Sequence, residues 1–203
     1  MYKLIINVCK GLILLLNGHL QVHGKERLPE DNYILIAPHR TWWEAVLFAV
    51  AAYPREFTFM AKKELFKNPI FAWIIKQAHA FPVDRENPSP SVLKHPIKQL
   101  KNGDLSLMIF PSGTRHSSQL KGGAIAIARL TKKPVVPVVY QGPLSFKDVL
   151  KRKPLKVQFG EPIELDLKKK VSKEEEQVIF QEFEHAWDKL DQELDPNFKY
   201  VAK

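Results

Sequence analysis

The chain has 203 residues, of which 45% are apolar and 26% charged, with four Trp, five Tyr and twelve Phe. That is enough for one sizeable core and too little for two typical domains, and it excludes disorder as the prevailing state. Cys9 is the single cysteine, which excludes a disulfide scaffold. The net charge of +9 is unevenly spread: residues 174–195 hold nine acids against Lys189 alone, leaving +17 on the other 181 residues. A body so basic attracts polyanions, whether an anionic membrane surface, an acidic carrier protein, a phosphorylated substrate or nucleic acid.

Residues 4–16 are apolar except for Asn7, Lys10 and Gly11. As a helix they reach about 20 Å, short of the roughly 30 Å hydrocarbon core of a bilayer. Asn17-Gly18-His19-Leu20 offers no small-residue cleavage site of a signal peptide. At about 100° per residue, Leu4, Ile5, Val8, Leu12, Leu15 and Leu16 form one stripe, with Lys3, Asn7 and Lys10 opposite. Two readings fit: a first helix packed on the domain, or a membrane-interfacial helix over 1–17 with lysines toward phosphate headgroups. The basic body favours the second, with one domain over 18–203.

Strand-like runs follow at 20–23, 33–37, 57–61, 105–110, 135–140 and 156–159, alternating with helical stretches at 44–52, 69–77, 91–101 and 123–130. Such alternation predicts an α/β domain with a largely parallel sheet. Segments 151–154 and 168–170 read as surface turns. Over 173–194 the final helix opens with a capping box, Ser172 and Glu175, and carries one apolar face through Phe180, Phe183, Trp187, Leu190 and Leu194.

Four blocks carry the chemistry. The first, Pro38-His39-Arg40-Thr41-Trp42-Trp43-Glu44, follows a strand, where ligands bind in open α/β sheets. On one helix His39 and Glu44 would be about 140° apart, so His39 belongs to the loop and Glu44 to the first turn of the next helix. The carboxylate then holds one imidazole nitrogen protonated while the other accepts a proton. No second ligand pair at metal spacing accompanies them, so no metal is expected. The third block, Phe110-Pro111-Ser112-Gly113-Thr114-Arg115-His116-Ser117, puts backbone and hydroxyl donors beside a guanidinium, a fitting cradle for phosphate. It has neither the Gly-Lys-Ser/Thr of a nucleotide loop nor the glycines of a nucleophile elbow. The second block, Phe81-Pro82-Val83-Asp84-Arg85, adds another arginine; the fourth, Val136-Pro137-Val138-Val139-Tyr140-Gln141-Gly142, reads as an apolar wall or a strand edge.

In this order and spacing the blocks resemble those of the 1-acyl-glycerol-3-phosphate acyltransferase (PlsC-type) family over residues 22–162. The resemblance implies a mixed, mostly parallel sheet flanked by helices. It implies His39 as general base oriented by Glu44, and phosphate binding by Gly113, Thr114 and Arg115, helped by Arg85 and, more loosely, Lys62. Thr41, Trp42, Val136 and Pro137 would line the acyl or substrate pocket. Pro38 stands for the family's Asn, Glu44 for its Asp, Ser112 for its third-block Glu and His79 for a frequent Gly; His116 parts Arg115 from Ser117.

The implied reaction moves an acyl chain from an acyl thioester to the free sn-2 hydroxyl of 1-acyl-glycerol-3-phosphate, giving phosphatidic acid for phospholipid biosynthesis. The thioester is a co-substrate and no cofactor is implied. The implied partners are the lysophospholipid, acyl-CoA or an acidic acyl carrier protein, and an anionic membrane at the cytoplasmic face of the cell; nucleic acid is not among them. Two alternatives remain at this stage: the same chemistry on another lysophospholipid or glycerol 3-phosphate, and a non-catalytic basic surface-binding module.

Overall fold

The computed structural model describes residues 1–84, 90–113, 119–165, 171–198 and 200. Seven strands form one sheet: β1 (Leu20–His23), β2 (Ile34–Ile36), β3 (Phe57–Lys62), β4 (Ala80–Val83), β5 (Ser106–Ile109), β6 (Val135–Gln141) and β7 (Leu155–Phe159). The order across it is β1-β7-β6-β2-β5-β3-β4. The five strands β2 to β6 are mutually parallel; β7 runs antiparallel to β6, and β1 is parallel to β7. The sheet is therefore mixed and mostly parallel. Its middle strands are apolar without alternation, as in Ile34-Leu35-Ile36, because both faces are covered. Leu35, Val136 and Val138 pack into one core, and Ile34, Ile36, Val135 and Val139 into the other.

Right-handed crossovers decide which helices cover which face. The connections leading outward, from β2 to β3 and from β3 to β4, carry α2 (Glu44–Ala52) and α3 (Pro69–Gln77); α1 (Tyr2–Leu16) joins that layer by packing on α2. The returning connections carry α4 (Lys94–Asn102) and α5 (Gly123–Thr131) to the other face, where α7 (Lys173–Leu194) lies along β6. A short helix, α6 (Phe146–Leu150), links β6 to β7.

Most helix limits agree with the sequence, and the departures have physical causes. The stretch expected to be one helix from 91 to 101 is a tight turn, Pro90–Leu93, followed by α4. Pro96, which lacks an amide hydrogen, is tolerated only in a first turn, so the α-helix starts at Lys94. Strand β4 is an edge strand, which is where Pro82 is admissible. Helix α6 abuts the segment read as a surface turn, its Ser145 cap accepting a hydrogen bond from Asp148 N–H. In α7 both capping-box bonds form, Glu175 N–H to Ser172 Oγ at 3.2 Å and Ser172 N–H to Glu175 Oε2 at 2.7 Å.

Helix α1 docks by a face other than the apolar stripe read from sequence. Tyr2, Ile6, Cys9 and Ile13 face the core, spaced four, three and four residues apart. Leu4, Val8, Leu12 and Leu15 of the stripe read from sequence point outward and are exposed. The two faces are about 135° apart at 100° per residue. Because α1 is apolar on both, periodicity could not choose the one that docks. Among the described residues no helix is long and apolar enough to cross a membrane.

Candidate active site

Strands β2, β3, β5 and β6 all end on one side of the sheet, and the described residues of the first and third blocks follow two of those ends, β2 and β5. Beyond β2 the chain passes through Pro38 to His39 before entering α2 at Glu44. Trp187 of α7 fixes the departure point by donating its indole N–H to Ile36 O at 3.3 Å. Glu44 is wholly buried in the first turn of α2, where a carboxylate suits the positive end of the helix dipole.

His39 Nδ1 lies 3.4 Å from Glu44 Oε2, leaving Nε2 as the ring nitrogen that Glu44 does not engage. The imidazole, 12% exposed, stacks on Phe110 at the end of β5, with ring centroids 4.1 Å apart and planes 24° from parallel. Glu44 Oε2 also accepts the Arg40 backbone N–H at 2.8 Å. Glu44 Oε1 and Thr41 Oγ1 are buried with no hydrogen-bond partner among the described residues. Nearby, Tyr140 Oη donates to Pro143 O at 2.9 Å, and burial pushes its phenol well above the ordinary range. A ring held on one side by an aromatic face and at one nitrogen by a sealed carboxylate has the geometry of an oriented proton acceptor.

The turn after β5 closes with Gly113 N–H donating to Phe110 O at 2.8 Å, and Gly113 takes the left-handed φ of +69° that a side chain would strain. A Cβ built on Gly113 would lie 3.7 Å from Lys121 Nζ, so this lysine reaches over the turn. Lys121 was not picked out from sequence, since nothing local ties a lysine eight residues downstream to that glycine. Lys62 ends β3 on the same side of the sheet, 3.6 Å from Glu64. Arg85, Thr114 and Arg115 lie outside the described residues.

The four pocket expectations divide. Trp42 is exposed, whereas Thr41 is buried. Val136 and Pro137, expected to line the acyl or substrate pocket, are buried inside the sheet opposite Leu35 and Ile36 of β2. The second and third residues of a central strand covered on both faces have no open side. At the far end of that strand Gly142 is required by close approach: a Cβ there would fall 2.8 Å from Pro154 O. No group of three or more His, Cys, Asp or Glu that could hold a metal is present among the described residues.

Residues 19–141 match the family model described as Acyltransferase. A curated protein of Streptococcus pneumoniae named 1-acyl-sn-glycerol-3-phosphate acyltransferase is 45% identical over 190 residues, 91% of this chain and 72% of its own. One of the same name from Bacillus subtilis is 46% identical over 166 residues, 80% of this chain and 82% of its own. The chain belongs to the 1-acyl-sn-glycerol-3-phosphate acyltransferase family. In this acyltransferase the family match ends at β6, so β7 and all of α7 lie beyond it. The fold is shared with the crystal structure of the 1-acyl-sn-glycerophosphate (LPA) acyltransferase PlsC from Thermotoga maritima. That match has a TM-score of 0.73 at 24% identity, covering 98% of this chain and 81% of that one.

Proposed function

We propose that this acyltransferase moves an acyl chain from an acyl thioester to the sn-2 hydroxyl of 1-acyl-glycerol-3-phosphate, giving phosphatidic acid. The observation that carries the reading is the oriented His39–Glu44 pair at the strand ends of a chain 45% identical to an enzyme of that name. His39 Nε2 takes the acceptor's hydroxyl proton as its oxygen attacks the thioester carbonyl. The carbon–sulfur bond then breaks, and the imidazolium returns the proton to the departing thiolate, so no cofactor is consumed. Glu44 holds the Nδ1 proton throughout. Gly113, Thr114 and Arg115, with Arg85 and Lys62, bind the acceptor's phosphate; Lys121, poised over Gly113, adds a further cation there.

The donor is acyl-CoA or an acidic acyl carrier protein, and the enzyme works on the cytoplasmic face of the membrane, peripherally. Outward-facing Leu4, Val8, Leu12 and Leu15 of α1, and Ile70 and Trp73 of α3, support bilayer contact, with Lys67 and Lys76 at the two ends of α3 meeting anionic headgroups.

General-base catalysis typically contributes about 10²–10⁴-fold. His39→Ala is expected to lower turnover of lysophosphatidic acid by that factor, measured as thiol release, with the melting temperature unchanged within error. Turnover near the parent's would remove His39 from the reaction.

A further inference from the structure

Arg40 sits between His39 and Thr41, and its side chain reaches across to α7, near the far end of the chain. The side chain is 6% exposed and forks onto Asp191 of α7, whose side chain is 10% exposed: Nη1 donates to Oδ1 at 3.0 Å and Nη2 donates to Oδ2. Nη1 also donates to Tyr140 O at 2.9 Å. Gln141 Nε2 secures the other partner, donating to Asp191 O at 2.7 Å and to Oδ1 at 3.1 Å. The rings of Phe198 and Tyr200 stand 5.2 and 5.1 Å from the guanidinium carbon. Three segments remote in sequence, the end of β6, α7 and the C-terminal residues, thus converge on one side chain of the His39 loop.

Docking α7 does not require this ion pair. Phe183, Trp187 and Leu190 already bury its apolar face, and a buried ion pair is often replaced by apolar residues at no loss of stability. What the fork supplies is direction, since a bidentate guanidinium–carboxylate pair admits one planar geometry. That direction reaches the dyad through the backbone. The Arg40 N–H bond to Glu44 Oε2, at 2.8 Å, is shorter than the 3.4 Å contact of His39 with the same oxygen. Anchoring the Arg40 side chain therefore places the amide that sets the carboxylate, and the carboxylate sets the imidazole.

We propose that Arg40 and Asp191 are positioning residues, a latch through which the C-terminal helix, outside the family-matched stretch, aligns His39 and Glu44 for proton transfer. The latch rests on His39 acting as the base. Misplacing a reacting group by about 1 Å can cost on the order of 10²-fold in rate. Asp191→Asn, which keeps the shape and loses the charge, is expected to lower kcat at least tenfold with the KM for lysophosphatidic acid unchanged within twofold. Arg40→Lys, a point charge without the fork, should do the same.

The decisive variant is the apolar pair Arg40→Met with Asp191→Leu in the full chain. Its melting temperature is expected to equal or exceed the parent's while kcat stays at least tenfold down. Recovery of kcat together with the melting temperature would overturn the latch, because the pair would then only hold the helix. Nitrogen NMR of 15N-histidine protein gives a readout free of the reaction, with His39 assigned by difference from His39→Ala. The parent should show one Nδ1-protonated tautomer and the apolar pair a mixture; identical tautomers in both would also overturn the latch. A parent that fails to acylate lysophosphatidic acid, yet keeps this tautomer difference, would break the acyl-transfer reading and leave the latch standing.

Discussion

The two helical layers over the sheet end in opposite surfaces. On one side α7 buries Phe180, Phe183, Trp187 and Leu190 and turns Glu174, Glu182, Glu184 and Asp188 to water, the ordinary division of an amphipathic helix. On the other, α3 buries Ala72 alone and leaves Ile70 73% and Trp73 55% exposed, while α1 leaves Leu15 71% exposed. Both layers bury an inner face against the same sheet, so the demands of folding do not explain the difference. One layer is finished by water; the other is greasier outside than its own packing needs. Apolar surface of this kind, bordered by lysines, suits a second apolar phase, and a substrate that lives in a bilayer would supply one.

Substitutions in the two layers should therefore fail in different assays. The largest effect is expected for Trp187→Ala, which empties a core position and removes the bond to Ile36 O. It should cost about 3–5 kcal/mol in denaturant unfolding. Ile70→Ser with Trp73→Ser should leave unfolding within about 0.5 kcal/mol of the parent, since both side chains are exposed. Vesicle flotation, however, should weaken by at least about a hundredfold, at roughly 1.5–3 kcal/mol for each of the two large apolar side chains kept from lipid. Unaltered flotation with a loss of stability instead would mean that α3 serves the fold and not a membrane.

Ser172→Ala tests the water-facing layer more gently. Losing the cap of α7 should cost about 1 kcal/mol in the same unfolding assay and nothing in flotation. The smallest effect concerns α6, which belongs to neither layer. Hydrogen bonds from Ser145 and Lys153 draw the Asp148 carboxyl down to about 2. Its folded value lies below the unfolded one, so its contribution is present above the ordinary carboxylate range and is lost as pH falls through about 2. Asp148→Asn should flatten the acid side of the stability curve between about pH 4 and 2, and nowhere else.

Much of the fold was legible because its signals are local. Proline at the start of α3, the Ser172 cap and the apolar spacing of α7 lie within a few residues of what they specify, and the corresponding helices begin and end where expected. The same holds for His39 and Glu44, five apart and forced together by the loop-to-helix junction between them. The fourth block stayed open between an apolar wall and a strand edge because an apolar run cannot say whether it lines a cleft or fills a sheet; the register of β6 against β2 and β7 places it inside the sheet.

By itself the sequence determined the alternation of strands and helices, the carboxylate–imidazole pair and the basic character of the body, since each depends on neighbours along the chain. Tertiary structure alone decided which face of α1 docks, that β7 turns antiparallel, that Lys121 overhangs Gly113, and that Arg40 meets a carboxylate 151 residues away. Those outcomes depend on which surfaces meet once the sheet closes, and no periodicity or spacing within a segment carries that information.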